Sequence, residues 1–200
     1  MGSIIIAIIL VVLTVVIIVS KNKNETTNVP ENNYSRSENR LLKYIDSLGD
    51  NYYIYYYGEF ENTSSDTVKS SIYYSFDNGS FAMKSEELNI HIVFKENKLY
   101  NISHIYRLIV IMAKGSVDIS KYNLISTENK DFVRESSEDN YIVEEYIMKD
   151  TTVKYYFEQN TLKKIKVGKE GVFKDISFTV ETNTRQDIFI IDDSYEKMYA

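Results

Sequence analysis

The chain has 200 residues, a net charge of −6 and a 44% hydrophobic content that includes 18 Tyr and 9 Phe but no Trp. With no cysteine, disulfides, thiolate metal sites, cysteine nucleophiles and the lipid-bearing cysteine of a bacterial lipoprotein are all excluded. The acidic balance argues against nucleic acid, whose phosphates demand a basic face. Such aromatic and β-branched density favours sheet.

Residues 4–19 are Ile, Leu and Val apart from Ala7 and Thr14, and no charge occurs before Lys21. A helix over residues 2–20 is roughly 28 Å long, close to the ~30 Å hydrocarbon core of a bilayer. Residues 1–20 therefore read as a transmembrane anchor. No basic side chain precedes the run and no Ala-x-Ala follows it, so an uncleaved anchor is favoured over a signal peptide. Lys21 and Lys23 follow the helix, and the positive-inside rule taken alone keeps that side cytoplasmic.

Residues 21–37 read as a flexible linker of Asn, Glu, Thr and Ser around Pro30. Residues 38–200 are then about 160 residues, the size of one ordinary domain. A helix opens it, with Ser37 as cap, Leu41, Tyr44, Ile45 and Leu48 as the apolar stripe, and Gly49 as stop. Residues 51–60 form a strand with tyrosines on both faces, where core packing with hydroxyls at the rim is the plainer reading and a ligand platform the sharper one. Residues 66–85 read as a hairpin, alternating at Val68, Ser70, Ile72, Tyr74 and Phe76 and turning at Asn78-Gly79. A second hairpin turns at Lys95-Glu96-Asn97.

Residues 104–113 fit a short helix or a strand. Residues 116–139 are polar and read as irregular, anchored by Tyr122, Leu124, Ile125 and Phe132. Four strands follow on short turns, over residues 141–148, 153–157, 162–167 and 176–180, with a short apolar ending at 188–191. Nine or ten strands and one or two helices predict an α+β domain. A large curved antiparallel sheet must cover its apolar concave face, and the helices are available to do so. Tyr52, Ile54, Phe76, Phe94, Phe157 and Phe178 are the candidate cavity-lining residues.

No catalytic, cofactor-binding or metal site is expected. His91 and His104 read as structural or surface histidines, and no nucleophile elbow, phosphate loop or zinc motif occurs. The adjacent pairs Glu86-Glu87, Glu144-Glu145 and Asp192-Asp193 point to opposite faces of a strand and read as solvated, with a weak calcium contact as the remote alternative. Lys163, Lys164 and Lys166 read as the solvated face of a strand. The four Asn-x-Ser/Thr sites, at Asn24, Asn62, Asn78 and Asn101, read as coincidence in so Asn-rich a chain.

LLKYIDSLGDNYYIYYYGEF (residues 41–60), IVFKENKLY (92–100), YYFEQNTLKKI (155–165), ISFTV (176–180) and DIFI (187–190) carry a resemblance. They are similar to the opening helix and strand, central hairpin and closing strands of the LolA-like (lipoprotein-carrier) superfamily, which implies a long antiparallel sheet curved into an incomplete barrel with helices over its mouth. The resemblance implies an extracytoplasmic domain, and among Gram-positive and spore-forming relatives a tethered partner of cell-wall amidases in germination. It also implies a second reading, a carrier of lipid or lipoprotein in the concave face. The anchor favours the first, a non-catalytic module holding a protein partner at the membrane, because a permanently tethered carrier does not shuttle. Exposed strand edges and tyrosines would serve that module for sheet addition and aromatic anchoring.

Overall fold

The computed structural model describes residues 39–62, 66–113 and 122–200. The expected anchor, residues 1–20, and linker, residues 21–37, lie outside the described residues. Among the described residues no helix is long and apolar enough to cross a membrane.

Among the described residues one α-helix, α1 (Arg40–Leu48), precedes the sheet. Its N-terminal N–H groups are all satisfied from outside the helical ladder. The Asn39 side chain accepts from Leu42 N at 3.1 Å, and the Glu144 carboxylate accepts from Arg40 N at 2.6 Å and Leu41 N at 3.0 Å. The cap is thus Asn39 and not the expected Ser37, which lies outside the described residues. Gly49 ends the helix at φ 70°, a left-handed conformation that favours glycine. Leu41 is fully buried, and Tyr44, Ile45 and Leu48 pack on the same core.

Twelve strands form one curved sheet that does not close into a barrel. They are β1 (Asn51–Glu61), β2 (Thr67–Asp77), β3 (Ser80–Ser85), β4 (Ile90–Lys95), β5 (Lys98–Ser103) and β6 (Leu108–Ala113). Then come β7 (Asp131–Glu138), β8 (Tyr141–Met148), β9 (Thr151–Glu158), β10 (Thr161–Lys169), β11 (Val172–Glu181) and β12 (Glu196–Tyr199). Their order is β12-β6-β5-β4-β3-β2-β1-β11-β10-β9-β8-β7. Two antiparallel meanders, β1–β6 and β7–β11, therefore meet where β1 pairs with β11, and only β12 runs parallel to its neighbour. Four of the hairpins turn on two consecutive positive-φ residues: Asn78-Gly79, Glu96-Asn97, Asp139-Asn140 and Glu170-Gly171. That backbone matches the right-handed twist of the strands it joins.

Of residues 104–113, the first four form a turn and the rest strand β6, not a helix. The β-branched run Ile109-Val110-Ile111 buries well between β5 and β12. Residues 116–139 are not wholly irregular either, because their last third is β7. That strand sits at the sheet edge with Arg134, Glu135, Ser136 and Ser137 exposed, so no buried face imposes an alternating pattern. Strand β12 had no counterpart in the sequence reading, and it brings the count past nine or ten.

The sheet has a cover on each face. The main core lies on the concave side, where Tyr52, Ile54, Tyr56 and Phe60 of β1 point toward α1 and residues 122–125. A smaller core lies on the other face, where Ala82, Val93, Ile102 and Ile109 pack under Ile188. The 3-10 turn Gln186–Phe189 supplies that second cover.

Candidate functional site

Register builds the floor of the concave face. Tyr52, Phe76, Phe81, Phe94, Leu99 and Met112 are successive cross-strand partners from β1 to β6, so one row of apolar side chains crosses the sheet. Ring centroids stand 5.2 Å apart for Tyr52–Phe76 and 5.3 Å for Phe81–Phe94, both stacked. Tyr74, one row along, lies 6.0 Å from Phe81. Burial pushes the Tyr52 hydroxyl up to about 12. It also carries the Tyr74 hydroxyl well above its ordinary value, with smaller contributions from Tyr52, Tyr56 and the Glu128 carboxylate.

The rest of the hollow is filled. Tyr56, fully buried on β1, accepts from Ile125 N at 2.9 Å and donates to Asn123 Oδ1 at 3.4 Å. Tyr155, fully buried on β9, donates to the Leu124 carbonyl. Lys130 donates to the Asn123 and Leu124 carbonyls at 3.0 Å each and to the Ser126 carbonyl at 2.5 Å. A buried ammonium facing three carbonyls satisfies the backbone of a loop that has entered the core. Leu124 and Ile125 are each 1% exposed, so residues 122–130 occupy the hollow as a plug.

Between α1 and the plug remains a groove of about 480 Å³. Tyr52, Tyr74, Phe76, Phe81 and Phe94 form its floor, Leu42 and Ile45 of α1 one wall, and Asn123, Ile125, Ser126 and Thr127 the other. Asp46, Asp50 and Glu128 complete its lining. Of the six expected cavity residues, the structure brings Tyr52, Phe76 and Phe94 to this groove. Ile54 and Phe157 are fully buried and Phe178 packs against the same core, all three away from the groove wall.

No family model and no curated protein matches the chain. Among solved structures it is similar to an uncharacterized conserved protein from Thermus thermophilus. The likeness is 11% identity over 82% of this chain and 100% of that one, with a TM-score of 0.48. A likeness that distant carries no argument about what the chain does.

Of the three acidic pairs only Glu144-Glu145 lies on a strand, and its two side chains fall on opposite faces. Glu145 points outward to Arg134 at 3.1 Å and Lys154 at 3.8 Å. Glu144, however, is not solvated: at 1% exposure it caps α1 and accepts from the Tyr146 hydroxyl at 3.2 Å. Burial raises its carboxyl above the ordinary value, and the Arg40 and Leu41 N–H groups oppose that shift. Lys163 pairs with Glu158 and Lys164 with Asp175, both at the protein surface. Among the described residues no group of three or more His, Asp or Glu has metal-site geometry.

Sequence reasoning missed one cluster on the opposite face. His91 Nδ1 lies 2.8 Å from His104 Nε2, His91 Nε2 lies 2.8 Å from the Ile188 carbonyl, and His104 Nδ1 lies 3.1 Å from the Tyr195 hydroxyl. The carbonyl only accepts, so His91 Nε2 carries the proton, His104 Nε2 donates to His91 Nδ1, and Tyr195 donates to His104. The signal was present in the second hairpin. With Ile92 opposite Asn101, His91 falls opposite Ile102 and diagonal to His104 on one face.

Proposed function

We propose that the chain is a non-catalytic binding module, held beside a membrane by residues 1–20, that grips a segment of a partner polypeptide in the groove. The observation that carries this reading is the filling of the hollow by α1 and residues 122–130. An acyl carrier needs a dry apolar tunnel. Here Tyr56 and Tyr155 tie the plug backbone to the sheet, Lys130 holds the plug's own carbonyls together, and the space left is a groove with polar groups on its walls. Lipid or lipoprotein carriage is the second reading, supported by the curved apolar face and by the resemblance to the lipoprotein-carrier superfamily. The partner that resemblance implies is a cell-wall hydrolase on the outer side of the membrane.

Sheet addition at an edge is less suited to the task. Edge strand β7 carries exposed Asp131, Arg134 and Glu135 and a register shift between Phe132 and Arg134, devices that keep other strands off. At the other edge β12 spans only Glu196–Tyr199. The groove is the better place for a partner.

The test is photocrosslinking of the full chain in its host membrane, with a photoreactive side chain at half-buried Phe76 and, as control, at Val172, which is 70% exposed and distant from the groove lining. A polypeptide adduct specific to position 76 is the expected result. Adducts of lipid alone, or none, would overturn the module in favour of carriage or of no role for the groove.

A further inference from the structure

The geometry points to a Lys- or Arg-bearing segment as the part of the partner that lies in the groove, an inference that rests on the binding-module reading. Every charged residue lining the groove is acidic: Asp46 near the end of α1, Asp50 just after it, and Glu128 on the plug. They come from two separate stretches of chain that converge on one opening. Among the described residues none of the three carboxylates has an ion-pair or hydrogen-bond partner. Elsewhere on the sheet carboxylates are commonly compensated, as Glu61 is by Lys169, Asp175 by Lys164 and Glu145 by Arg134. The groove concentrates acid without base.

Two further features have the same sign. The C-terminal end of α1, at Asp46 to Gly49, opens on the groove, and a helix C-terminus carries partial negative charge. The floor is aromatic, and ring faces attract ammonium and guanidinium groups through their quadrupole. An acyl chain makes no use of three uncompensated carboxylates, and an anionic phospholipid headgroup is repelled by them. A peptide that alternates basic and apolar side chains uses both parts: its cations meet the rim and its apolar groups meet Leu42, Ile45 and the rings. The exposed rim at Asp46, Asp50 and Glu128 leaves the groove open for such a chain to enter from solvent.

The experiment uses the full chain in nanodiscs of zwitterionic lipid, with empty nanodiscs as blank. Three fluorescein-labelled octapeptides are compared, in which Val alternates with Lys, with Glu or with Ser. By fluorescence anisotropy the Lys peptide should bind about tenfold more tightly than the Ser peptide, the scale of three exposed charge pairs acting together. The preference should shrink as salt rises. In the triple variant Asp46→Asn, Asp50→Asn, Glu128→Gln it should disappear, while the circular dichroism spectrum stays unchanged. Equal binding of the Lys and Ser peptides overturns the inference. So does a preference that survives in the triple variant, which would trace it to the overall charge of −6 and not to the groove. A polypeptide crosslinked at position 76 through a segment without Lys or Arg overturns this inference and leaves the binding module standing, whereas a lipid-only adduct removes both.

Discussion

The two faces of the sheet solve the same problem in different ways. Each must cover the apolar side chains that strand alternation places on it. The concave face is covered by a helix and a loop whose backbone is tied down by Tyr56 and Tyr155, and burial holds both hydroxyls well above their ordinary value. The opposite face is covered by the chain end, residues 185–195, tied down through two histidines and a tyrosine. One cover is fixed by tyrosine hydroxyls that burial moves further from neutrality; the other is held in part by His91, which burial moves below its ordinary 6.5.

The largest expected effect falls on the plug. Leu124, 1% exposed and packed in the main core, has no route to solvent. Leu124→Ala should cost about 2–5 kcal/mol in chemical denaturation, the range for a buried Leu that leaves a cavity. A cost below about 1 kcal/mol would mean that the plug does not share the stability of the core, and the contrast between the faces would fall.

The buried tyrosines come next, and they should differ from each other. Tyr56→Phe leaves the buried Ile125 N–H without its acceptor, which costs about 1–3 kcal/mol. Tyr155→Phe removes a donor from the Leu124 carbonyl, but Lys130 still donates to that oxygen at 3.0 Å. Its cost should stay near 1 kcal/mol, that of a net hydrogen bond. Hydrogen exchange at Ile125 separates the two, with faster exchange expected in Tyr56→Phe alone.

How legible these features were in the sequence follows from what each residue had to satisfy. Hairpins were legible because Asn78-Gly79 and Glu96-Asn97 interrupt alternating runs, and the turn must take positive φ. The apolar stripe of α1 was legible from its spacing. Strand β7 was not, because an edge strand with exposed Arg134 to Ser137 answers to backbone pairing and to no buried face. Strand β12 was hidden for the same reason, as its pairing with β6 is a parallel backbone contact between stretches far apart in the chain. Of the six candidate cavity residues, Tyr52, Phe76 and Phe94 share one row on the groove floor, whereas Ile54, Phe157 and Phe178 belong to parts of the hollow that the plug and neighbouring side chains fill. Glu144 was misread because an acidic residue on a strand gives no sign that a helix N-terminus will arrive over it.

The smallest effect is the one that separates the faces by pH. His91 is held below its ordinary 6.5, first by burial; the Ile188 carbonyl opposes the shift, and the charges of His104 and Lys84 add to it. Lys84 faces it from β3 and His104 from the turn between β5 and β6; behind His104 stand Tyr195 and Asp192 of the chain end, with Arg107 over the Tyr195 ring. A histidine with a lowered folded value is neutral in the fold and takes up its proton more readily when unfolded. Its contribution is therefore fully present above about pH 6.5 and is lost as pH falls through the lowered folded value. A proton added at His91 Nδ1 also meets the proton of His104 Nε2 and breaks the chain of donors unless His104 changes tautomer. Between pH 7.5 and pH 5, amide exchange corrected for its intrinsic pH dependence should accelerate at residues 188–195 and stay unchanged at residues 122–130. His91→Gln, which does not titrate and whose amide can still donate to the Ile188 carbonyl, should abolish the difference between the two pH values. Equal acceleration on both faces would mean that acid acts on the whole fold, and the histidines would then be packing groups with no separate role in holding the chain end.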